Sequence, residues 1–185
     1  MDQLALSVRT ARPQDAADLA RIYIESWQDT YAGVISHALL AAMSHKGHTA
    51  RWLAAIKNAE HNSAAVLVAE EAKHGVIGLC SLGMARDGGV GFDGEIYTLY
   101  VDPAFFGRGT GRTLLSGAFD ALRARRMRSC LIWAHARNNA CFFYEAMGGR
   151  RVATRTTRLM GELTPEIGFG WKRLVTRKQA RTAQS

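Results

Sequence analysis

The chain has 185 residues, of which 48% are hydrophobic and 22% charged, a composition typical of a folded globular protein. This length is sufficient for one domain with a large core, which we expect over residues 1–175, followed by a flexible basic tail over residues 176–185. No hydrophobic run is long enough to cross a bilayer, and the first residues lack the pattern of a signal peptide. These features, together with three cysteines and no CxxC pair, predict a cytoplasmic protein with reduced thiols and no membrane partner.

A net charge of +8 at pH 7 is found in proteins that bind nucleic acid, in proteins that bind a polyphosphate ligand, and in proteins whose charges are simply solvated at the surface. The excess lies in two basic groups, one within residues 123–128 and one within residues 172–181. Neither group is interleaved with aromatic residues or belongs to a recognisable nucleic-acid module. We therefore expect no nucleic-acid partner, and a basic nucleic-acid-binding protein remains only as an alternative.

Hydrophobic periodicity divides the chain into helices and strands. The first half is predicted to contain a strand at Leu4–Thr10, a helix from Pro13 through Trp27, a short helix from Ser36 through Met43, a helix at Ala50–Ala59, and a hairpin of strands Ala65–Glu70 and Val76–Leu82. The second half is predicted to contain a strand at Glu95–Val101, a helix at Gly111–Arg125, a strand at Cys130–Ala134, a helix at Ala140–Met147, and strands near Arg151–Leu159 and Ile167–Leu174. The glycine-rich segment Arg86–Gly94 is predicted to be a mobile loop. This order predicts a mixed sheet with helices packed on it, an α/β or α+β fold.

The most informative stretch lies where one strand ends and a helix begins. It reads Phe106-Gly107-Arg108-Gly109-Thr110-Gly111-Arg112. Glycines allow successive backbone N–H groups to point at one anion, and a helix N-terminus adds a fixed positive potential. Arg108 and Arg112 add side-chain charge, so the turn predicts a pyrophosphate ligand. It lacks the Lys-Ser/Thr of a P-loop and the layout of a dinucleotide-binding turn, and a tight turn without a ligand remains an alternative.

These residues resemble the phosphate-binding motif of the GNAT N-acetyltransferase superfamily, in which a strand is followed by Gln/Arg-x-x-Gly-x-Gly/Ala at the start of a helix. Phe106 departs from that motif, because it stands where the family has Gln or Arg. A second segment, Asn138–Gly149, resembles the family's N-x-A-x-x-F-Y helix and follows a strand at the expected distance. The resemblance implies a GNAT-like acyl-CoA N-acyltransferase fold, in which helices flank a mostly antiparallel sheet that splays between two parallel strands.

The resemblance also implies acetyl-CoA as the cofactor, with its pantetheine arm between the strands Glu95–Val101 and Cys130–Ala134. Backbone N–H groups around Leu99 to Val101 would hold this arm and polarise the carbonyl. The implied cofactor-binding residues are Leu99, Tyr100, Val101, Phe106, Gly107, Arg108, Gly109, Thr110, Gly111, Arg112, Asn138 and Tyr144. For Asn138, an N-cap of the following helix is an equally good interpretation, and the two roles are compatible.

The implied reaction is direct attack of a primary amine on the thioester in a ternary complex, with no metal and no covalent intermediate. Tyr144 matches the family tyrosine that protonates the departing thiolate, although a core tyrosine is the alternative. Glu95 stands at the start of the central strand, where many family members place an acidic residue that accepts the amine proton through water. The alternatives are a strand-end carboxylate in solvent for Glu95, and His135 or a water chain as the base.

Trp27 and Tyr31, near the end of the first long helix, are the candidates for the acceptor pocket. Aromatic residues at helical spacing are also typical of a core. The expected acceptor is a small-molecule or peptide amine, and a homodimer is left open. The sequence thus predicts an acetyl-CoA-dependent N-acetyltransferase, and the alternative is a regulatory module that binds acyl-CoA without turnover.

Overall fold

The computed structural model describes residues 6–33, 35–86, 90–159 and 161–174. Its helices are α1 (Ala16–Thr30), α2 (His37–Ala41), α3 (His45–Asn58), α4 (Thr110–Ala124) and α5 (Ala140–Ala146). Its strands are β1 (Leu6–Thr10), β2 (Ala65–Glu71), β3 (Gly75–Met84), β4 (Gly94–Val101), β5 (Cys130–His135), β6 (Arg150–Leu159) and β7 (Glu162–Trp171). The strands form one sheet in the order β1-β2-β3-β4-β5-β7-β6. The predicted mixed α/β fold is therefore confirmed.

Two predicted elements begin earlier than expected. Helix α3 begins at His45 rather than Ala50, because the Ser44 hydroxyl accepts a hydrogen bond from the Gly47 N–H at 3.2 Å and caps the helix. Strand β7 spans Glu162–Trp171, whereas the sequence predicted its start at Ile167. Pro165 obscured this strand, since proline is rare inside sheets. Residues 87–89 of the predicted loop, the predicted tail over 176–185 and Leu4 lie outside the described residues.

Contacts within the chain group it into two compact units. The first unit comprises Met1–Ser81 with Thr98–Ala118, and the second comprises Leu82–Tyr97 with Phe119–Ser185. Strands β3 and β4 therefore each contribute residues to both units. Whether the chain behaves as the predicted single domain over 1–175 stays a prediction.

The first unit is built on helix α1 and the strands β1 and β2, which pair antiparallel. Leu19 and Ile22 of α1 are fully buried in its core. The Asp15 carboxylate ties β1 to the start of α1, because it accepts bonds from Arg9 Nη1 at 2.7 Å, Arg9 Nη2 at 3.1 Å and the Arg12 N–H at 2.7 Å. The Arg9 bond is the largest of the effects that lower the pKa of Asp15.

The second unit is built on β5, which pairs antiparallel with β7 and parallel with β4. The parallel pairing places Gly94–Ile96 opposite Cys130–Ile132. Asp93 fixes the entry to β4, because its Oδ2 accepts bonds from the Arg128 N–H at 2.8 Å and the Ser129 N–H at 3.3 Å. The end of the predicted loop is thus anchored directly before the strand that carries Glu95.

The three cysteines, Cys80, Cys130 and Cys141, are buried and form no disulfide. Burial is the main cause that raises the pKa of Cys141 and brings the pKa of Cys130 to about 12. These thiols therefore act as small core side chains rather than nucleophiles. Within the described part of the chain, none of the helices is long and apolar enough to span a bilayer.

Candidate active site

The glycine-rich turn begins where β4 ends at Val101. Asp102 caps a single 3-10 turn over Pro103–Phe105 by accepting the Ala104 N–H at 3.0 Å. The Asp102 carboxylate also accepts a bond from Arg21 of α1 at 2.8 Å, so the base of the turn is fixed to the first unit.

Two glycines give the turn its shape. Gly107 and Gly109 have φ angles of 73° and 83°, in the left-handed region that side chains with a Cβ avoid. Apart from the glycine itself and its two chain neighbours, no atom of the described residues lies within 4 Å of a Cβ built on either glycine. The backbone conformation, and not crowding, therefore requires glycine here, and the backbone stays open to a ligand.

Thr110, the first residue of α4, carries the clearest sign of a missing partner. Its side chain is buried, with 1% of the residue exposed, and its Oγ1 has no hydrogen-bond partner among the described residues. The first N–H groups of a helix also have no partner inside the helix. An orphaned hydroxyl beside such groups fits a turn that binds phosphate oxygens. Arg108 lies with its guanidinium 5.3 Å from the centre of the Phe105 ring and is exposed.

The backbone N–H groups of β4 alternate between the two edges of the strand just before the turn. The Asp102 N–H bonds the Ile77 carbonyl of β3 at 2.9 Å, and the Tyr100 carbonyl lies 3.2 Å from a Cβ built on Gly78 of β3. Because successive residues of a strand point their N–H groups to alternate edges, those of Leu99 and Val101 point away from β3. The structure therefore favours Leu99 and Val101 over Tyr100 as backbone donors to a ligand.

Trp27 and Tyr31 belong to an aromatic cluster in the first unit. The Trp27 ring lies 4.9 Å from Tyr31 and 5.3 Å from Tyr23, which in turn lies 5.3 Å from Tyr100 and 4.9 Å from His48. Trp27 Nε1–H donates to the Tyr100 hydroxyl at 2.9 Å. Burial is the main cause that raises the pKa of Tyr23 and lowers that of His48, so both rings are neutral at neutral pH. Trp27 and Tyr31 are themselves buried.

Glu95 lies in the second unit and is buried, with 1% exposure. Its carboxylate accepts a hydrogen bond from the Arg86 N–H at 2.9 Å and from Arg86 Nε at 3.2 Å, and it forms an ion pair with the same guanidinium. The alternative of a carboxylate in solvent is therefore wrong. The Arg86 side chain remains 56% exposed and stacks on the Tyr97 ring at 4.5 Å.

His135, the alternative base, already uses one ring nitrogen. Its Nδ1 accepts the Arg137 N–H at 3.0 Å. Burial is the main cause that lowers the pKa of His135, so the ring is neutral at neutral pH. A neutral imidazole has a single nitrogen lone pair, and here the backbone holds it. The assignment of the base to Glu95, with His135 as the alternative, stays a prediction.

Tyr144 of α5 is buried in the second unit with 4% exposure. The centre of its ring lies 5.6 Å from that of Phe169 and 6.3 Å from that of Trp171, so the ring is packed among aromatic side chains. Asn138 lies two residues before α5, and its Oδ1 accepts the Ala140 N–H at 2.8 Å. The predicted N-cap position of Asn138 is therefore wrong by one residue, because Asn139 is the N-cap, and the cofactor role of Asn138 stays a prediction.

The structure thus places the predicted residues in two groups. The turn, the end of β4, Trp27 and Tyr31 lie in the first unit, and Glu95, Asn138 and Tyr144 lie in the second. Sequence analysis missed Arg86, whose only signal is a lone arginine at the start of the predicted loop. It also missed the Arg21–Asp102 ion pair, which joins residues far apart in the chain.

Comparison with known proteins identifies the family. The chain matches the Acetyltransferase (GNAT) family over residues 18–149. The uncharacterized N-acetyltransferase YuaI of Bacillus subtilis is 30% identical over 166 residues, which cover 90% of this chain and 92% of that protein. The spermidine N(1)-acetyltransferase of Thermoplasma acidophilum is 23% identical over 150 residues, which cover 80% of this chain and 90% of that protein. The crystal structure of the PaiA N-acetyltransferase of that organism, in complex with coenzyme A, matches with a TM-score of 0.68 and 21% identity, over 89% of this chain and 98% of that chain.

The chain therefore belongs to the GNAT family of acetyltransferases. Family membership confirms the predicted fold, and it confirms acetyl transfer from acetyl-CoA as the chemistry.

Proposed function

We propose that this chain transfers the acetyl group of acetyl-CoA to a primary amine by direct attack, with both substrates bound at once. The observation that carries the proposal is the turn at Gly107–Thr110, with two left-handed glycines and an orphaned buried hydroxyl at a helix start. Acetyl-CoA supplies an activated acyl group as a thioester. The protein therefore has to position the two substrates and to move protons.

The turn is proposed to bind the pyrophosphate through the N–H groups of Gly107 to Gly111, with Thr110 Oγ1 and the exposed Arg108 and Arg112 adding contacts. The outward N–H groups of Leu99 and Val101 are proposed to hold the pantetheine arm and to polarise the carbonyl. Asn138 keeps its bond to the Ala140 N–H and is proposed to use its amide nitrogen for the cofactor.

Two protons must move in this reaction. A primary ammonium must lose one before attack, and we assign Glu95 as the acceptor, directly or through water. The departing thiolate must gain one, and we assign the Tyr144 hydroxyl as the donor. A phenol has a pKa of about 10 and a thiol of about 8.5, so this transfer is uphill by only about 1.5 pKa units. Arg86 keeps Glu95 oriented until the amine arrives.

The acceptor is proposed to be a small-molecule or peptide amine that contacts Trp27 and Tyr31. Aromatic faces attract ammonium groups, and one relative is a spermidine acetyltransferase, so polyamines are the first acceptors to test. Buried cysteines that form no disulfide support a cytoplasmic location. Strand β6 is last in the sheet order and offers an edge for a homodimer.

The test is an assay of free thiol released from acetyl-CoA with polyamines, aminoglycosides, amino acids and peptides as acceptors. We expect amine-dependent release in the native protein and none in Gly109→Val. Valine has a Cβ and avoids the left-handed backbone conformation that Gly109 adopts. Thermal stabilisation by coenzyme A without release for any amine would instead support the regulatory module.

A further inference from the structure

Two neighbouring phenylalanines at the start of the turn have opposite environments. Phe105 is 8% exposed, whereas Phe106 is 52% exposed. The Phe105 ring lies 5.0 Å from the His74 ring in an edge contact, and the Arg108 guanidinium covers it. Phe105 therefore holds the turn to the first unit, and Phe106 is directed outward.

The backbone fixes this outward direction. Phe106 donates its N–H to the Pro103 carbonyl at 3.3 Å and has an extended conformation, with φ −62° and ψ 150°. The residue that follows, Gly107, turns the chain into the left-handed region. A single exposed apolar side chain is ordinary, but this one immediately precedes the N–H groups that are assigned to the pyrophosphate.

Phe106 brings a different chemistry from the Gln or Arg found at this position in the family motif. It carries no charge and no hydrogen-bonding group, so it contributes nothing to a phosphate. It does offer a flat aromatic face at the turn, and every nucleobase has a complementary face. In coenzyme A the adenine is joined to the pyrophosphate through one ribose, so the base lies within a few bonds of the turn.

We propose that Phe106 is a stacking platform for the adenine of coenzyme A, and that this contact replaces the polar side chain of the family motif. This inference rests on the proposed function, because it requires the pyrophosphate to lie in the turn. Stacking of one base on one aromatic side chain predicts about a tenfold change in affinity. The contribution belongs to the nucleotide end alone, and the pantetheine end gains nothing from it.

The experiment measures dissociation constants by calorimetry for coenzyme A and for 4′-phosphopantetheine, which lacks the whole 3′-phosphoadenosine nucleotide, including one phosphate of the pyrophosphate. Phe106→Ala is expected to weaken coenzyme A about tenfold and to leave 4′-phosphopantetheine unchanged. Phe106→Leu keeps an apolar side chain without an aromatic face and is expected to behave like alanine. Phe106→Trp is expected to retain the affinity and to show fluorescence quenched by coenzyme A but not by 4′-phosphopantetheine. Leu163→Ala, which removes a comparably exposed apolar side chain (67% exposed), is the control and should bind both ligands as the native protein does.

Three results would overturn the inference while leaving the proposed function intact. These are native affinity for coenzyme A in Phe106→Ala, native affinity in Phe106→Leu, or an equal loss for both ligands. Failure of the native protein to bind coenzyme A at all would overturn the proposed function as well. Circular dichroism of each variant confirms that an affinity change does not come from unfolding.

Discussion

Replacing Glu95 and its partner Arg86 separately tests whether the buried carboxylate is a base or only a structural anchor. Glu95→Gln keeps the shape of the side chain but turns an NH2 group toward the Arg86 donors, so at least one charged hydrogen bond is lost. Such bonds contribute about 1.5–3 kcal/mol. Because the Arg86 side chain is 56% exposed and water can solvate it, we expect the free energy of unfolding to fall by about 1–2 kcal/mol.

The effect on catalysis should be larger than the effect on stability. General-base catalysis typically contributes about 100- to 10,000-fold, which corresponds to about 3–5 kcal/mol of activation free energy. Arg86→Gln leaves the carboxylate in place but removes its partner, so its stability loss should at least equal that of Glu95→Gln. Its activity loss should be much smaller. The two variants are therefore expected to rank in opposite order by stability and by kcat/KM.

The assay compares kcat/KM for the best acceptor at neutral pH and near pH 10, with chemical denaturation of the same samples. At the higher pH the free amine is abundant, so the defect of Glu95→Gln should shrink. Equal activity losses in the two variants at both pH values would refute the base assignment. Such a result would show that the ion pair affects activity only by stabilising the conformation of the chain around Arg86.

Three other changes test the remaining assignments. Tyr144→Phe should lower kcat about 100-fold or more without changing the affinity for coenzyme A, because only the proton-donating hydroxyl is removed. Thr110→Val should raise the free energy of unfolding of the unliganded protein by about 1 kcal/mol, since an orphaned buried hydroxyl is removed, and should weaken coenzyme A binding about tenfold. Asp15→Asn should lower the free energy of unfolding by about 2 kcal/mol at pH 7. Because the folded-state pKa of Asp15 is depressed, its contribution is present above the unfolded pKa of about 3.9 and is lost as pH falls through the folded value.

Each of these predictions has a contrary outcome. Undiminished turnover in Tyr144→Phe would mean that solvent protonates the thiolate. A less stable Thr110→Val protein, or one that binds coenzyme A as tightly as before, would remove Thr110 from the site. Parallel stability curves for Asp15→Asn and the native protein below about pH 4 would show that another carboxylate carries the acid dependence.

The turn could be predicted from sequence because its chemistry is local. Glycines at fixed spacing, an Asp-Pro pair before them and a periodic helix after them lie within a few residues, and they determine one backbone shape. The ion pair of Glu95 with Arg86 could not be predicted. The two residues are nine positions apart, and the sequence does not define the path of the chain between them. The start of α3 was predicted too late, because its first turn is basic and contains Gly47, and both features are unfavourable at a helix start. The helix begins there because Ser44 caps it.

The interleaving of the two units in the chain has a consequence for synthesis on the ribosome. The first unit requires Thr98–Ala118 to complete its contacts, so a nascent chain that stops at Ser81 lacks the strand end and helix that close it. The second unit begins with Leu82–Tyr97, which must wait for the segment after Ala118. We therefore compare nascent chains arrested at increasing lengths. The early helices should first resist a protease in the chain whose residue 118 has left the exit tunnel. The glycine-rich turn at Gly107–Thr110 lies inside the segment that completes this first unit.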